Sequence, residues 1–74
     1  MKFKKYLIKS TNSNIPKRLF FNFFHESNFT IVSLVQSGSS LKVELFGDKA
    51  NFKTLIQKFN STFGKDFKIK RIWF

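Results

Sequence analysis

In residues 41–63, LKVELFGDKANFKTLIQKFNSTF, the apolar period changes from about two residues to about 3.6 residues. The first part alternates, as in a strand with one buried face; Leu41, Val43 and Leu45 lie on one side, and Lys42, Glu44 and Phe46 on the other. The second part has apolar residues three or four positions apart, as on one side of a helix; they are Phe52, Leu55, Ile56, Phe59 and Phe63. The stretch therefore predicts a half-buried strand followed by an amphipathic helix.

The residues around this stretch predict where the helix begins and ends. Asp48 follows Gly47 and is placed to cap the helix N-terminus, while Gly64 is a natural stop after it. Residues 67–74 are rich in aromatic and β-branched side chains and predict a final strand.

The chain before residue 41 predicts a strand, a helix and a second strand. Residues 3–9 and 29–35 have strand composition, residues 10–14 are polar and predict a loop, and residues 36–40 predict a turn. Asn14 is placed as the N-cap of the helix, with Pro16 in its first turn. The apolar stripe of this helix comprises Leu19, Phe20, Phe23 and Phe24, with Phe21 beside it and Ser27-Asn28 at its end.

The element order is therefore β-α-β-β-α-β with short connections. This order is typical of the ferredoxin-like α+β fold, in which two helices cover one face of a four-stranded antiparallel sheet. We expect a single domain over residues 1–74.

The composition is strongly basic and rich in phenylalanine. Fourteen Lys and Arg stand against four Asp and Glu, which gives a net charge of +10 in 74 residues. Such a charge attracts polyanions and acidic protein surfaces before specific contacts form. Twelve Phe supply the core, and the lack of Cys excludes disulfides and thiolate metal sites. The basic N-terminus has no long apolar run after it, so we expect a cytoplasmic protein without a secretory signal or membrane span.

Catalytic chemistry has few candidates in this composition. His25 falls near the end of the first helix, where a cation interacts favourably with the helix dipole. The four carboxylates are scattered singly, and no nucleophile and base share a recognisable spacing. We therefore expect no metal site and no cofactor.

The basic residues point to binding by the sheet face that the helices leave open. With Leu41 and its partners turned inward, the candidate binding residues are Lys5, Lys9, Lys42, Lys68, Lys70 and Arg71, with Phe3 and Phe46 as stacking groups. For the last strand the pattern leaves two alternatives, in which either Lys68, Lys70, Ile72 and Phe74 or Phe67, Ile69, Arg71 and Trp73 face outward.

Cations interleaved with rings suit single-stranded RNA, because bases stack on rings and phosphates meet lysines. A ribonucleoprotein or an acidic protein is an equal alternative as partner. The protein would then be a non-catalytic binding module, and an inhibitor or accessory subunit of a nucleic-acid-binding machine would look the same. An interface between protein chains, or lysines that only keep the surface soluble, also fit the pattern.

Several local patterns resemble the acylphosphatase family. Val43-Glu44-Leu45-Phe46-Gly47-Asp48 and the following helix are similar to that family's third strand and second helix. The resemblance implies a ferredoxin-like fold and a phosphate-binding loop before the first helix, with Arg18 at the position of the family's phosphate-binding Arg. Gln36 or Ser37 stands near the position of the water-orienting Asn, and Asn and Ser replace the loop glycines. The implied alternative function is a divergent acylphosphatase, with Arg18 holding the phosphate and Gln36 positioning water.

Overall fold

A computed structural model of the chain describes residues 1–11 and 14–73. The predicted loop positions Asn12 and Ser13, and the predicted strand position Phe74, lie outside the described residues. The elements are β1 (Lys2–Ser10), α1 (Lys17–Glu26), β2 (Thr30–Ser37), β3 (Ser40–Gly47), α2 (Asn51–Phe63) and β4 (Phe67–Ile72). The predicted element order is therefore confirmed.

The four strands form one antiparallel sheet in the order β2-β3-β1-β4. Each β-α-β half thus places its two strands with one other strand between them, which is the arrangement of the ferredoxin-like α+β fold. β1 and β3 are the central strands, and β2 and β4 are the edges. None of the described helices is long and apolar enough to cross a membrane.

The core lies between one face of the sheet and the two helices. Its sheet side consists mainly of Tyr6, Ile8, Leu41, Val43 and Leu45, and its helix side of Phe20, Phe24, Phe52, Leu55 and Phe59. Aromatic rings make many of the contacts between the helices; the ring centroids of Phe20 and Phe59, for example, are 5.6 Å apart. Burial of each such ring contributes about 1.5–3 kcal/mol, so this small domain depends on its phenylalanines.

α1 begins later than the sequence predicts. Pro16, not Asn14, occupies the N-cap position, and Pro16 makes no side-chain capping hydrogen bond. The reason is a tight turn in which the amide of Lys17 donates to the carbonyl of Ile15 at 2.9 Å, while Ile15 is buried in the core. Phe21 is exposed, as its position beside the stripe predicts.

Leu19 was expected in the apolar stripe of α1 and is instead 49 % exposed. The buried positions are Phe20 and Phe24, with Phe23 packed against the core. One helix position corresponds to about 100° of rotation, which carries Leu19 out of the contact.

Asp48 acts just before α2 rather than as its N-cap. Ala50 occupies that position, and the Oδ1 of Asp48 accepts a hydrogen bond from the amide of Ala50 at 3.1 Å. The carbonyl of Asp48 accepts from the amide of Asn51 at 3.0 Å, which closes a turn into the helix. At the other end Gly64 follows the last residue of α2, as predicted.

β2 and β3 form a hairpin with two irregularities. Gly38 has φ 59° in the two-residue turn between Ser37 and Ser40, a backbone conformation that glycine adopts without strain. Further along, the register shifts between Ile31 and Ser33, so β2 has one extra residue. As a result Ile31 and Leu34 both pack against the core although they are three positions apart.

Candidate nucleic-acid interface

The strand registers define which side chains point away from the helices, and we call this surface the open face. Register partners share a face, so Phe3 lies beside Phe46, and Leu7 lies between Lys42 and Lys70. The open face comprises Phe3, Lys5, Leu7, Lys9, Thr30, Ser33, Val35, Ser37, Ser40, Lys42, Glu44, Phe46, Lys68, Lys70 and Ile72.

Positive charge dominates the open face. Lys9, Lys42, Lys68 and Lys70 are exposed, whereas Lys5 is half-buried and lies directly opposite Glu44 in the register. Glu44 is the single carboxylate among the described residues of this face, so five lysines face one acid. A surface with that imbalance concentrates anions near it.

The aromatic pair of the open face lies at one end of it. Phe3 and Phe46 are register partners, with ring centroids 4.5 Å apart and planes tilted by 43°. Phe46 is half-buried, and Phe3 is 52 % exposed. The pair therefore presents ring surface to solvent within the same sheet face as the lysines.

The middle of the open face is slightly concave. A hollow of about 190 Å³ is lined by Lys5, Ser33, Val35, Lys42 and Glu44. Val35 is 55 % exposed and adds an apolar group beside Lys42. The surface thus offers charge, ring and aliphatic contacts to one extended ligand.

The structure brings all of the predicted binding residues together except Arg71. Lys68 and Lys70 pair with Lys9 and Leu7 and so lie on the open face, whereas Arg71 pairs with the buried Tyr6 and lies on the helix side. Of the two alternatives for the last strand, the first is correct as far as Ile72. Arg71 therefore lies on a different surface from the other predicted binding residues. These are Lys5, Lys9, Lys42, Lys68, Lys70, Phe3 and Phe46.

The residues that the acylphosphatase resemblance singles out lie on the helix side. Arg18 is exposed in the first turn of α1 and lines a hollow of about 680 Å³ with Lys17, Phe21, Asn22 and Leu34. Gln36 is two positions beyond Leu34 in β2, on the same side of the sheet, and its Nε2 donates to the carbonyl of Gly38 at 3.4 Å. The hollow is thus lined by two cations and is open to solvent.

The remaining titratable residues form no metal-binding cluster among the described residues. His25 lies in the last turn of α1, where its ring stacks on Phe21 with centroids 6.1 Å apart. Over residues 1–11 and 14–73, no three His, Cys, Asp or Glu side chains are close enough together to hold a metal ion.

Ser33 and Val35 are open-face residues that the sequence pattern did not identify. The extra residue in β2 interrupts the alternation that would assign them, so only the register with β3 places them.

Comparison of the chain with protein-family models, with curated proteins and with solved structures finds no match. The candidate interface is therefore supported by its geometry and charge.

Proposed function

We propose that the protein is a non-catalytic module that binds single-stranded RNA across the open face. The observation that carries this proposal is the placement of five lysines, with one carboxylate, on the sheet face away from the helices. The sheet itself keeps these groups in place, because their backbone positions are fixed by the strand pairing.

The geometry supports an extended polyanion. Successive open-face positions in one strand are about 6.7 Å apart, and neighbouring strands about 4.8 Å apart, so the lysines form a two-dimensional array. Lys42 and Lys70 flank Leu7 across the central strand, and Lys9 and Lys68 form a second row. A single strand crossing these rows places several phosphates near ammonium groups while its bases remain free to stack.

The aromatic pair favours RNA over an acidic protein surface. An acidic protein needs only the lysines, whereas the exposed ring of Phe3 beside Phe46 offers a stacking surface to a base. Four-stranded sheets bind RNA in this way when rings project from their central strands, and Phe3 and Phe46 belong to β1 and β3.

The proposal is tested by titrating a labelled single-stranded RNA of about 12 nucleotides at several salt concentrations. If all five lysines meet phosphates, the slope of log K against log salt is about −3.5, since each contact on a single strand contributes about −0.7. A slope near zero, or binding only to an acidic protein from the same cells, contradicts it.

Two matched double variants separate the open face from total charge. Lys42→Gln with Lys70→Gln removes two open-face cations, and Lys17→Gln with Lys65→Gln removes two exposed cations elsewhere. Both variants fall from +10 to +8. We expect the first pair to reduce the slope by about 1.4 and the second to leave it nearly unchanged. Equal effects would show that binding depends only on net charge.

A second candidate function, divergent acyl-phosphate hydrolysis, rests on the hollow beside Arg18. Arg18 and Lys17 line it, and a guanidinium is a suitable phosphate ligand. The test is the hydrolysis rate of an acyl phosphate with the wild-type protein and with Arg18→Ala. A rate at background for both proteins rules the activity out, and a loss confined to Arg18→Ala supports it.

A further inference from the structure

A second concentration of positive charge lies on the helix side of the sheet, where β1 and β4 meet the start of α2. A pocket of about 340 Å³ is present there, and we call it the basic pocket. Lys4, Lys49, Lys53 and Arg71 line it, and Tyr6 and Phe52 contribute to its apolar part. Lys4 lies in β1 and Arg71 in β4, whereas Lys49 precedes α2 and Lys53 is in its first turn. The four cations therefore come together only in the folded protein.

The described lining residues of the basic pocket include no carboxylate. Asp48 is adjacent to Lys49 in the chain, but its Oδ1 accepts a hydrogen bond from the amide of Ala50. The pKa of Lys4 is lowered, first by desolvation and then by the positive charges of Arg71, Lys2 and Lys49. The charges of Arg71 and Lys49 thus act unfavourably on Lys4, and an anion between these groups would offset that repulsion.

Arg71 lines this pocket with its guanidinium held in place by Trp73. Its Nε is buried and donates to no acceptor among the described residues. The guanidinium lies over the ring of Trp73, with Cζ 4.2 Å from the ring centroid. Because Nε is covered by the protein, the two Nη groups are the donors that an acceptor in the pocket could meet, and stacking on Trp73 fixes their orientation.

The backbone of α2 does not supply the binding groups. The amides of Ala50 and Asn51 donate to Asp48, and that of Phe52 is directed to the carbonyl of Lys49. The pocket acts through side chains: a guanidinium fork and three ammonium groups above a base formed by Phe52, which is 2 % exposed, and Tyr6.

We propose that the basic pocket binds a phosphate dianion, either free or as the terminal phosphate of a phosphomonoester. Four cations match a doubly charged ligand better than a single carboxylate. Phosphate oxygens accept hydrogen bonds from a guanidinium in pairs and from ammonium groups singly. The pocket lies on the opposite side of the sheet from the open face, so this site and the proposed RNA-binding surface are independent.

The test is a titration with inorganic phosphate, with sodium chloride added to hold ionic strength constant. Trp73 is the single tryptophan of the chain and stacks on Arg71, so its fluorescence reports on the pocket directly. Backbone amide chemical shifts give the location. We expect saturable changes at Lys4, Lys53 and Arg71 and none at Lys42 or Lys68.

Three variants sharpen the result. Lys53→Gln removes one pocket cation, and Arg71→Lys keeps the charge but removes the guanidinium fork. Each should weaken phosphate binding by about tenfold or more. Lys68→Gln removes the same charge as Lys53→Gln but from the open face, and it should leave phosphate affinity unchanged. Equal losses for Lys53→Gln and Lys68→Gln, or an equal response to chloride, would overturn the proposal.

The source of the phosphate is distinguished by comparing inorganic phosphate, a nucleoside monophosphate, and an oligonucleotide with either a 5′-phosphate or a 5′-hydroxyl. Tightest binding of the monophosphate indicates a small phosphomonoester. A preference for the 5′-phosphorylated strand that Arg71→Lys abolishes indicates a chain end. Binding of the 5′-hydroxyl strand that Arg71→Lys does not change belongs to the open face alone. Loss of that binding in Lys42→Gln with retained phosphate binding would separate the two proposals.

Discussion

The two faces of the central strands β1 and β3 differ in what folding requires of them. On the helix side, Tyr6, Ile8, Leu41, Val43 and Leu45 are each 5 % exposed or less. On the open face the same strands carry three lysines in alternate positions, as Lys5, Lys9 and Lys42. The apolar side is explained by packing against α1 and α2, whereas the lysines of the basic side contribute little packing, which is why we propose that they serve in binding.

Positive charge also lies on both sides of the sheet, in two different arrangements. The open-face lysines are spread over the three strands β1, β3 and β4 and suit an extended ligand. Lys4 and Arg71, by contrast, lie on the helix side at the margin of the core and converge with Lys49 and Lys53 on one pocket. An extended array of charges suits a long ligand, whereas a pocket suits a small one.

The largest expected effect is the loss of stability when one aromatic side chain of the core is replaced by alanine. Phe59 is fully buried and contacts the rings of Phe20, Phe23, Phe24 and Phe63. Phe59→Ala should lower the free energy of unfolding by about 3–5 kcal/mol, which in a domain of this size is enough to prevent folding. Urea unfolding followed by circular dichroism measures the change.

The matched control for that change is Phe3→Ala on the open face. Phe3 has the same side chain in the same fold but is half exposed, so its removal should cost less than a third as much. A similar loss for Phe3→Ala and Phe59→Ala would mean that the open face is part of the folding core, and the distinction between the two faces would be wrong.

A smaller effect is expected at Gly47, where β3 ends beneath a core ring. A Cβ built at Gly47 would overlap Cδ1 of Phe29. Gly47→Ala should therefore force Phe29 to move and destabilise the protein by about 1–3 kcal/mol. Gly38→Ala is a useful comparison, because that glycine has open space but φ 59°, so any cost there comes from the backbone alone. An unchanged unfolding midpoint for Gly47→Ala would contradict the close contact.

Much of the fold follows from periodicity that the sequence displays. Residues 41–63 show the change from strand to helix directly, and α2 and β3 lie where that change predicts. The apolar residues of α2 are three or four positions apart and therefore lie on one face of the helix. That face is buried against the core. Local spacing is sufficient here because the same residues that fix the element type also face the core.

The parts that sequence did not predict depend on contacts between distant strands. The extra residue in β2 places Ser33 and Val35 on the open face, and only pairing with β3 reveals it. In β4 both alternating sets contain cations, so the pattern could not show that Arg71 faces inward. Its pairing with Tyr6 decides that.

One feature of the sequence could have indicated the basic pocket. Lys4 occupies an inward position of β1, in phase with Tyr6 and Ile8, where an apolar residue is expected. Recognising the pocket also needs Lys49 and Lys53 to lie near Arg71, and that proximity arises from the packing of α2 on β1 and β4.

Stacking on the open face is the next smaller effect. Phe3→Ala should weaken binding of single-stranded RNA by about 1–3 kcal/mol if a base stacks on its ring. Phe3→Tyr retains a ring and should bind nearly as well as the wild type, and Phe21→Ala removes an exposed ring from the other side of the molecule. Fluorescence anisotropy with labelled RNA measures all three. Equal affinity of Phe3→Ala and the wild type would leave only the lysines as binding groups.

The smallest expected effect is a pH dependence that marks the crowding of cations in the basic pocket. In the folded protein the pKa of Lys4 lies below its usual 10.5, because of desolvation and the charges of Arg71, Lys2 and Lys49. The unfolded chain therefore holds this proton more tightly than the folded chain does.

The unfavourable contribution of charged Lys4 to stability is fully present below its folded pKa and disappears as pH rises through that pKa toward 10.5. The free energy of unfolding of the wild type minus that of Lys4→Gln should consequently increase between neutral pH and about 10.5. Phosphate in the pocket should reduce the slope for Lys4, since a bound dianion offsets the repulsion that lowers its pKa. A flat profile for Lys4→Gln without phosphate would show that neither desolvation nor the charges of Arg71, Lys2 and Lys49 act on Lys4.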